Sequence, residues 1–168
     1  MLTNIRSRSL ALAAVSVAVG LASHPALAAT GTGTATATIL GAITVTPKNT
    51  LAFGNILAPA GGGTVTLSSA GALSSSPATF SFFGGSGVGT FDVAGTAGAP
   101  VSVSFSTGDS LTGPGANMAL GTYDTGATVP ASFPGSGTFT MSVGATLTVG
   151  VNQVAGPYSG TYTVTVNY

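Results

Sequence analysis

Residues 161–168, at the carboxyl end of the chain, are Thr-Tyr-Thr-Val-Thr-Val-Asn-Tyr, a strict alternation of polar and larger apolar side chains. Successive side chains of a β-strand point to opposite faces of its sheet. One face of this segment therefore consists of Tyr162, Val164, Val166 and Tyr168. Thr and Val branch at Cβ, which disfavours a helix and suits a pleated strand. The segment predicts a closing β-strand whose apolar face lies in the core.

The same alternation recurs along the chain, and no stretch carries an apolar stripe at the 3.6-residue period of a helix. Clusters of Gly, Pro, Ser and Asp separate the alternating runs. The predicted strands are residues 34–46, 64–68, 78–83, 89–93, 101–106, 118–123, 137–143, 145–151 and 161–168. This spacing favours an all-β sandwich of about seven to nine short antiparallel strands. A disordered chain is disfavoured because the mean hydropathy is +0.57 and only 4% of the residues are charged.

The first 28 residues have the pattern of a secretory signal peptide. Arg6 and Arg8 precede an apolar run at residues 10–22, and Ala26-Leu27-Ala28 forms a small-x-small cleavage site. The run is too short for a helix that crosses about 30 Å of hydrocarbon, so we expect no membrane anchor. The sequence predicts a helical leader at residues 1–28, cleavage after Ala28 and export. The periplasm, the cell surface and the medium all remain possible destinations.

The exported part of the chain is almost without charge. After residue 28 its charged side chains are Lys48, Asp92, Asp109 and Asp124, and it has no Glu, Arg, His or Cys. It therefore lacks nearly every common general base, activated nucleophile and metal ligand. One lysine cannot neutralise a phosphate backbone either. We expect no enzyme activity, no catalytic residue, no metal, no cofactor and no nucleic-acid partner.

The scarcity of charged side chains also affects how the edges of the predicted sheets can be protected. Charged side chains, lysine above all, normally protect exposed strand edges from pairing with another chain. The polar face of this protein is instead built from Thr, Ser, Gly and Asn. We expect its strand edges to pair with a partner or to lie inside an assembly.

The exported amino terminus alternates from Thr30 to Val45. Fully extended, these residues would reach about 50 Å at about 3.3 Å each, more than one strand of a small sandwich needs. Two elements are therefore expected, an N-terminal arm at residues 29–38 and a domain at residues 39–168 that opens with a strand at about 39–46. A single edge strand bent at Gly41 is the alternative. The face of small and apolar residues is formed by Gly31, Gly33, Ala35, Ala37 and Ile39.

Four segments resemble a known family. Residues 51–56 (LAFGNI) and 61–67 (GGGTVTL) resemble the opening of a secreted bacterial family, the domain of unknown function 4402. Residues 144–153 (GATLTVGVNQ) and 155–166 (AGPYSGTYTVTV) are similar to its closing signature. More distantly, the layout is similar to spore coat protein U domains, the subunits of archaic chaperone–usher pili.

The resemblance implies an immunoglobulin-like sandwich that is exported and assembled into a thin surface fibre. In such pilins the missing strand is supplied first by a periplasmic chaperone and then, at an outer-membrane usher, by the arm of the neighbouring copy. By position, the donor would be the arm, with its face of Gly31, Gly33, Ala35, Ala37 and Ile39. The accepting strand would carry Tyr162, Val164, Val166 and Tyr168.

A self-complete secreted sandwich with an adhesive or matrix role is the alternative. Donor strands usually present bulky apolar side chains, whereas this arm offers Gly and Ala. Burying Ala in place of Leu forfeits about 2 kcal/mol or more at each position. The chain also lacks the disulfide that archaic pilins commonly carry.

Overall fold

The structure is a computed structural model that describes residues 28–168. Residues 1–27 of the predicted signal peptide lie outside the described residues. The chain divides into one unit that ends at Ala37 and another that comprises Thr38–Tyr168. Residues 28–37 of the first unit are exposed and belong to no strand.

The regular secondary structure of the second unit consists of strands. Within residues 28–168 the structure has no helix, and so no helix that could cross a membrane. The eleven strands are β1 (Thr44–Asn49), β2 (Asn55–Leu57), β3 (Gly63–Leu67), β4 (Leu73–Ser76), β5 (Ser81–Phe83), β6 (Gly89–Ala94), β7 (Ser102–Phe105), β8 (Ser110–Leu111), β9 (Met118–Asp124), β10 (Thr138–Val149) and β11 (Val164–Asn167).

Strand β10, which is twelve residues long, organises the fold. Its first half pairs with β6, which in turn pairs with β1. Its second half pairs with β3 on one edge and β9 on the other, and these continue to β4 and β8. The remaining strands form two small ladders, β2 with β5 and β7 with β11. Every pairing is antiparallel, which confirms the predicted all-β fold class with more strands than expected.

Two groups of buried side chains fill the domain. The large core consists of Phe53, Val65, Leu67, Phe80, Met118, Leu120, Ala145, Leu147 and Val149. The small core consists of Val93, Ala99, Phe133 and Val166, flanked by half-buried neighbours that include Ile43, Val45, Val103, Phe139, Val164 and Tyr168. In the small core, side chains of β1, β6 and β10 face those of β7 and β11, which gives this region two sandwich-like layers.

The strand predictions differ from the structure in three main respects. The strands predicted at residues 137–143 and 145–151 form one strand, because β10 continues through Gly144. Strands β2, β4 and β8 have three, four and two residues and were not predicted. The prediction of a strand that starts at residue 34 or 39 is wrong, since β1 begins at Thr44.

The late start of β1 has a local physical cause at Gly41. The Gly41 N–H donates a hydrogen bond to Thr96 Oγ1 (2.7 Å), and the Gly41 carbonyl accepts one from Tyr168 Oη (2.7 Å). The Tyr168 hydroxyl also accepts a hydrogen bond from the Thr96 N–H (2.8 Å). Both backbone groups of Gly41 are therefore satisfied by side chains rather than by a neighbouring strand. We call this three-residue contact the Gly41 anchor.

Candidate functional site

The carboxyl-terminal strand β11 pairs with β7 and, among residues 28–168, with no other strand. Next to it, the Thr163 carbonyl accepts a hydrogen bond from the Ser106 N–H (3.0 Å). In an antiparallel pair, alternate residues direct their backbone groups to opposite edges. Since Thr163 faces β7, the backbone groups of Val164 and Val166 face the unpaired edge. This edge can accept a further strand.

Strand β1 is a second edge, because in the described chain it pairs with β6 alone. A groove runs between residues 47–58, which include the end of β1, and residues 153–162, which lead into β11. It consists of two cavities of about 310 and about 700 Å³. Both cavities are lined by Thr50, Leu51, Phe53, Leu111 and Gly160, so they form one continuous depression.

The floor of the groove is apolar and belongs mostly to the large core. It is formed by Phe53, Phe91, Leu111, Met118, Leu120, Leu147 and Val149. A sandwich normally covers its core with a complete layer of strands on each side. Here no strand lies between the two walls, although the floor residues of the large core are each more than nine-tenths buried. An extended segment laid in the groove would mainly cover the half-buried apolar residues of its walls, Leu51, Ile56 and Ala58.

One wall of the groove, residues 153–160, is held by the side chains of Tyr158 and Gln153. The Tyr158 hydroxyl donates to the Val154 carbonyl (2.8 Å) and accepts hydrogen bonds from the Gly115 N–H (3.0 Å) and from Gln153 Nε2 (2.8 Å). Gln153 Nε2 also donates to the Ala116 carbonyl (2.6 Å). These contacts fix a wall that contains no strand of its own.

Glycine is required where the ring of Tyr158 meets the loop of residues 112–116. A Cβ at Gly113 would lie 2.5 Å from Tyr158 Cδ1, and a Cβ at Gly115 would lie 2.6 Å from the Tyr158 hydroxyl. Real Cβ atoms do not approach this closely. The loop can therefore lie against the wall only with glycine at both positions.

Tyr162 lines the narrower end of the groove, where four aromatic rings form a row. Its ring stacks on Tyr123 with centroids 5.2 Å apart and meets the edge of Phe91 at 6.0 Å. Tyr123 in turn stacks on Phe105 at 4.7 Å. Burial raises the pKa of Tyr162, and burial together with a hydrogen bond to Asp109 raises the pKa of Tyr123. Both hydroxyls remain neutral at physiological pH.

The four predicted residues of the closing strand do not share one environment. Only Tyr162 borders the groove. Val164, Val166 and Tyr168 pack into the small core, next to Ile43 and Val45. The open part of the groove therefore lies beside residues 153–162, before β11 begins.

The predicted donor residues are all at the surface. Gly31, Gly33, Ala35 and Ala37 are exposed and lie in no strand, and Ile39 exposes 93% of its surface. The two walls of the groove were not singled out as a site from the sequence. In the sequence, the walls contain two of the motifs that resemble the known family, at residues 51–56 and 155–166, and these motifs did not by themselves indicate a groove.

The three carboxylates are not grouped, and each accepts hydrogen bonds from neighbouring groups. Hydrogen bonds from Thr140 and Lys48 lower the pKa of Asp92, and those from Ser106 and Tyr123 lower the pKa of Asp109. The pKa of Asp124 is lowered by the Ser69 N–H, the Ser69 hydroxyl and the Gly126 N–H. Within residues 28–168, no three His, Cys, Asp or Glu side chains are grouped as a metal site would require.

These shifts predict how stability depends on pH. Because the folded pKa values of Asp92, Asp109 and Asp124 lie below the unfolded values, their stabilising contribution is complete above about pH 5. It is lost as the pH falls through the folded pKa values. Residues 29–168 contain neither His nor Cys, the two side chains whose ordinary pKa values lie between about pH 5 and 9. Urea unfolding of the exported chain should give a constant free energy over that range and a decrease below about pH 4; a step near pH 6–7 would contradict this account.

Comparison with known proteins places the chain in a family. No curated protein and no solved structure is significantly similar to it. The family model described as "Domain of unknown function (DUF4402)" matches residues 43–168, which include both walls of the groove and all eleven strands. The chain therefore belongs to the DUF4402 family.

Proposed function

We propose that the protein is an exported structural subunit of a pilus-like surface fibre, assembled by strand donation between copies. The observation that carries the proposal is the groove over the large core, which runs along residues 153–162 and leads to the unpaired edge of β11. An edge with free backbone groups and an apolar depression together are what binding by strand addition requires. The site offers no grouping of residues for catalysis that would compete with this interpretation.

The arm supplies a segment of matching length. Residues 29–38 are ten residues and span about 33 Å when extended at about 3.3 Å each. The wall at residues 153–162 also contains ten residues. Every residue of the arm is exposed, so its backbone groups are free to pair with another molecule. A strand with Thr on one face and Gly or Ala on the other would keep its hydroxyls in water and its small side chains on the apolar floor.

Donation from each copy to the next joins different surfaces of the two molecules. A head-to-tail contact that does not close into a ring generates an open filament. The subunit would pass through the periplasm, where its exposed groove would need a chaperone, and an outer-membrane usher would exchange that chaperone for the next arm. The scarcity of charge after residue 28 supports an end state inside an assembly.

The proposal is tested by placing a charge on each face of the arm. Ala35→Asp or Ala37→Asp would bury a carboxylate against the floor of the groove, at a cost of several kcal/mol. Thr36→Asp adds the same charge on the opposite face and serves as the matched control. Surface material sheared from cells should give a heat-sensitive ladder on SDS gels for the native protein and for Thr36→Asp. The two Ala variants should give monomer.

The self-complete secreted domain is the other outcome of this experiment. It is favoured by the arm's lack of bulky apolar side chains between residues 29 and 38. A single monomer band for the native protein, with and without boiling, would exclude strand-exchanged polymers. Normal ladders from Ala35→Asp and Ala37→Asp would show that the arm does not donate through this face.

A further inference from the structure

The large apolar side chains that residues 28–168 expose fall into two groups. Ile39 and Leu40, which expose 93% and 40% of their surface, directly follow the arm. The second group consists of Leu57, Phe83, Val151 and Val154, with exposures between 51% and 69%. Single exposed apolar residues are common, but a cluster of them indicates a contact surface.

The second group lies at one end of the groove, and we call it the apolar rim. Leu57 and Val154 both line the wider cavity. Leu57 and Phe83 lie on the same face of the β2–β5 ladder, because Leu57 pairs with Ser81 and Asn55 pairs with Phe83. The segment of Val151 is held beside the end of β2 by a hydrogen bond from the Asn152 N–H to the Ala60 carbonyl (2.9 Å).

Ile39 and Leu40 lie near Tyr168, which is the end of residues 154–168 opposite the rim residue Val154. They precede Gly41, which the Gly41 anchor fixes to Tyr168 in the small core. Between Val154 and Tyr168 the chain runs beside residues 102–112. Strand β11 pairs with β7, and Ser159 forms an isolated β-bridge with Thr112, the residue that follows β8. The two apolar groups are therefore separated along the length of residues 154–168, an arrangement that suits head-to-tail contact between copies.

We infer that the apolar rim of one copy binds Ile39 and Leu40 of a second copy whose arm lies in the groove. This inference rests on the proposed function. The narrow end of the groove leads to the small core, where Ile43, Val45 and β11 already pack together. We therefore place Ile39 and Leu40 of the donated arm at the wider end of the groove. The donated arm would then enter with its amino end towards Tyr162 and its carboxyl end at the rim, antiparallel to residues 153–162.

The chemistry of the two surfaces agrees with this pairing. The wider cavity is lined by no charged side chain, and Ile39 and Leu40 are the only large apolar residues between Ala29 and Ala42. They would supply the bulky contacts that the Gly and Ala face of the arm lacks. Burying one such side chain favours binding by about tenfold or more.

Two synthetic peptides test the inference in calorimetric titrations of the monomeric exported chain, residues 29–168. One peptide comprises residues 29–38 and the other residues 29–41, which adds Ile39 and Leu40. We expect both to bind, the longer one at least about tenfold more tightly. Phe83→Ser and Val151→Ser in the protein, at rim positions that line neither cavity of the groove, should remove this gain and leave the affinity for the shorter peptide unchanged. The longer peptide with Ile39→Ser and Leu40→Ser is the matched control and should bind like the shorter one.

The outcomes separate the inference from the proposed function. If both peptides bind with equal affinity, the rim does not receive Ile39 and Leu40, while strand donation stands. If the rim substitutions weaken both peptides equally, the rim is merely part of the groove and the inference is wrong. If neither peptide binds a chain whose urea unfolding is normal, the groove does not accept the arm and the proposed function fails as well.

Discussion

Replacing Phe133 by alanine is expected to lower the free energy of unfolding by about 3–5 kcal/mol. Phe133 exposes 2% of its surface and is the largest fully buried side chain of residues 28–168. Its ring lies 5.5 Å from that of Phe139 and 5.7 Å from that of Tyr168. On its other side a Cβ at Gly95 would lie 2.5 Å from the ring, so the neighbouring backbone packs directly against it. Truncation would leave a cavity at the centre of the small core.

Chemical unfolding followed by circular dichroism measures this effect, and Phe83→Ala is the matched control. Phe83 exposes 58% of its surface on β5, so the same truncation there should cost less than about 1 kcal/mol. The Phe133 backbone would still be held, because its N–H donates to the Ala99 carbonyl (2.8 Å) and its carbonyl accepts from the Gly98 N–H (2.9 Å). Equal losses for the two variants would contradict the central role of Phe133.

The second large effect is expected at Gly144, at the point where β10 passes from its pairing with β6 to its pairing with β3. A Cβ there would collide with the Leu67 carbonyl oxygen and lie 2.6 Å from the Ser69 backbone nitrogen. Ser69 is held in place by two hydrogen bonds to Asp124, each 2.8 Å. Because the obstructing atoms are backbone, Gly144→Ala should destabilise the fold by about 3 kcal/mol or more.

Gly121→Ala provides the control for this substitution. Gly121 lies on β9 opposite Thr146, and a Cβ at that position meets nothing within 4 Å. Its replacement should change the free energy of unfolding by less than about 1 kcal/mol. Comparison of urea midpoints for the two variants isolates the close approach at Gly144 from the general effect of adding a methyl group. A stable Gly144→Ala protein would mean that β3 and β10 are not packed as described.

The sequence carried enough information for the fold class and for most strands. Alternation places Val65, Leu67, Leu147 and Val149 on one face of β3 and β10, and these residues are buried. The short strands were missed because a ladder of two to four residues, such as β8, is too brief for a period of two to stand out. Phe133 was missed as a core residue because it lies among Pro, Gly and Ser, a composition typical of exposed loops.

The groove could be predicted only as an implication of the family resemblance. It arises where residues 47–58 and 153–162, about a hundred residues apart in the sequence, approach each other without a strand between them. No local pattern encodes that approach. The rim depends in the same way on the pairing of β2 with β5, which brings Leu57 and Phe83 to one face.

The Gly41 anchor has a mechanical consequence for a chain that is pulled by its amino terminus. A force applied through residues 28–40 first reaches the folded domain at Gly41, where the load divides between the Thr96 and Tyr168 hydrogen bonds. Tyr168 directly follows β11, and its ring packs on Phe133 in the small core. Tension would therefore be shared between the first and last parts of the domain rather than peel β1 away from β6 one hydrogen bond at a time. Tyr168→Phe removes the hydroxyl and should lower the force at which a single domain extends.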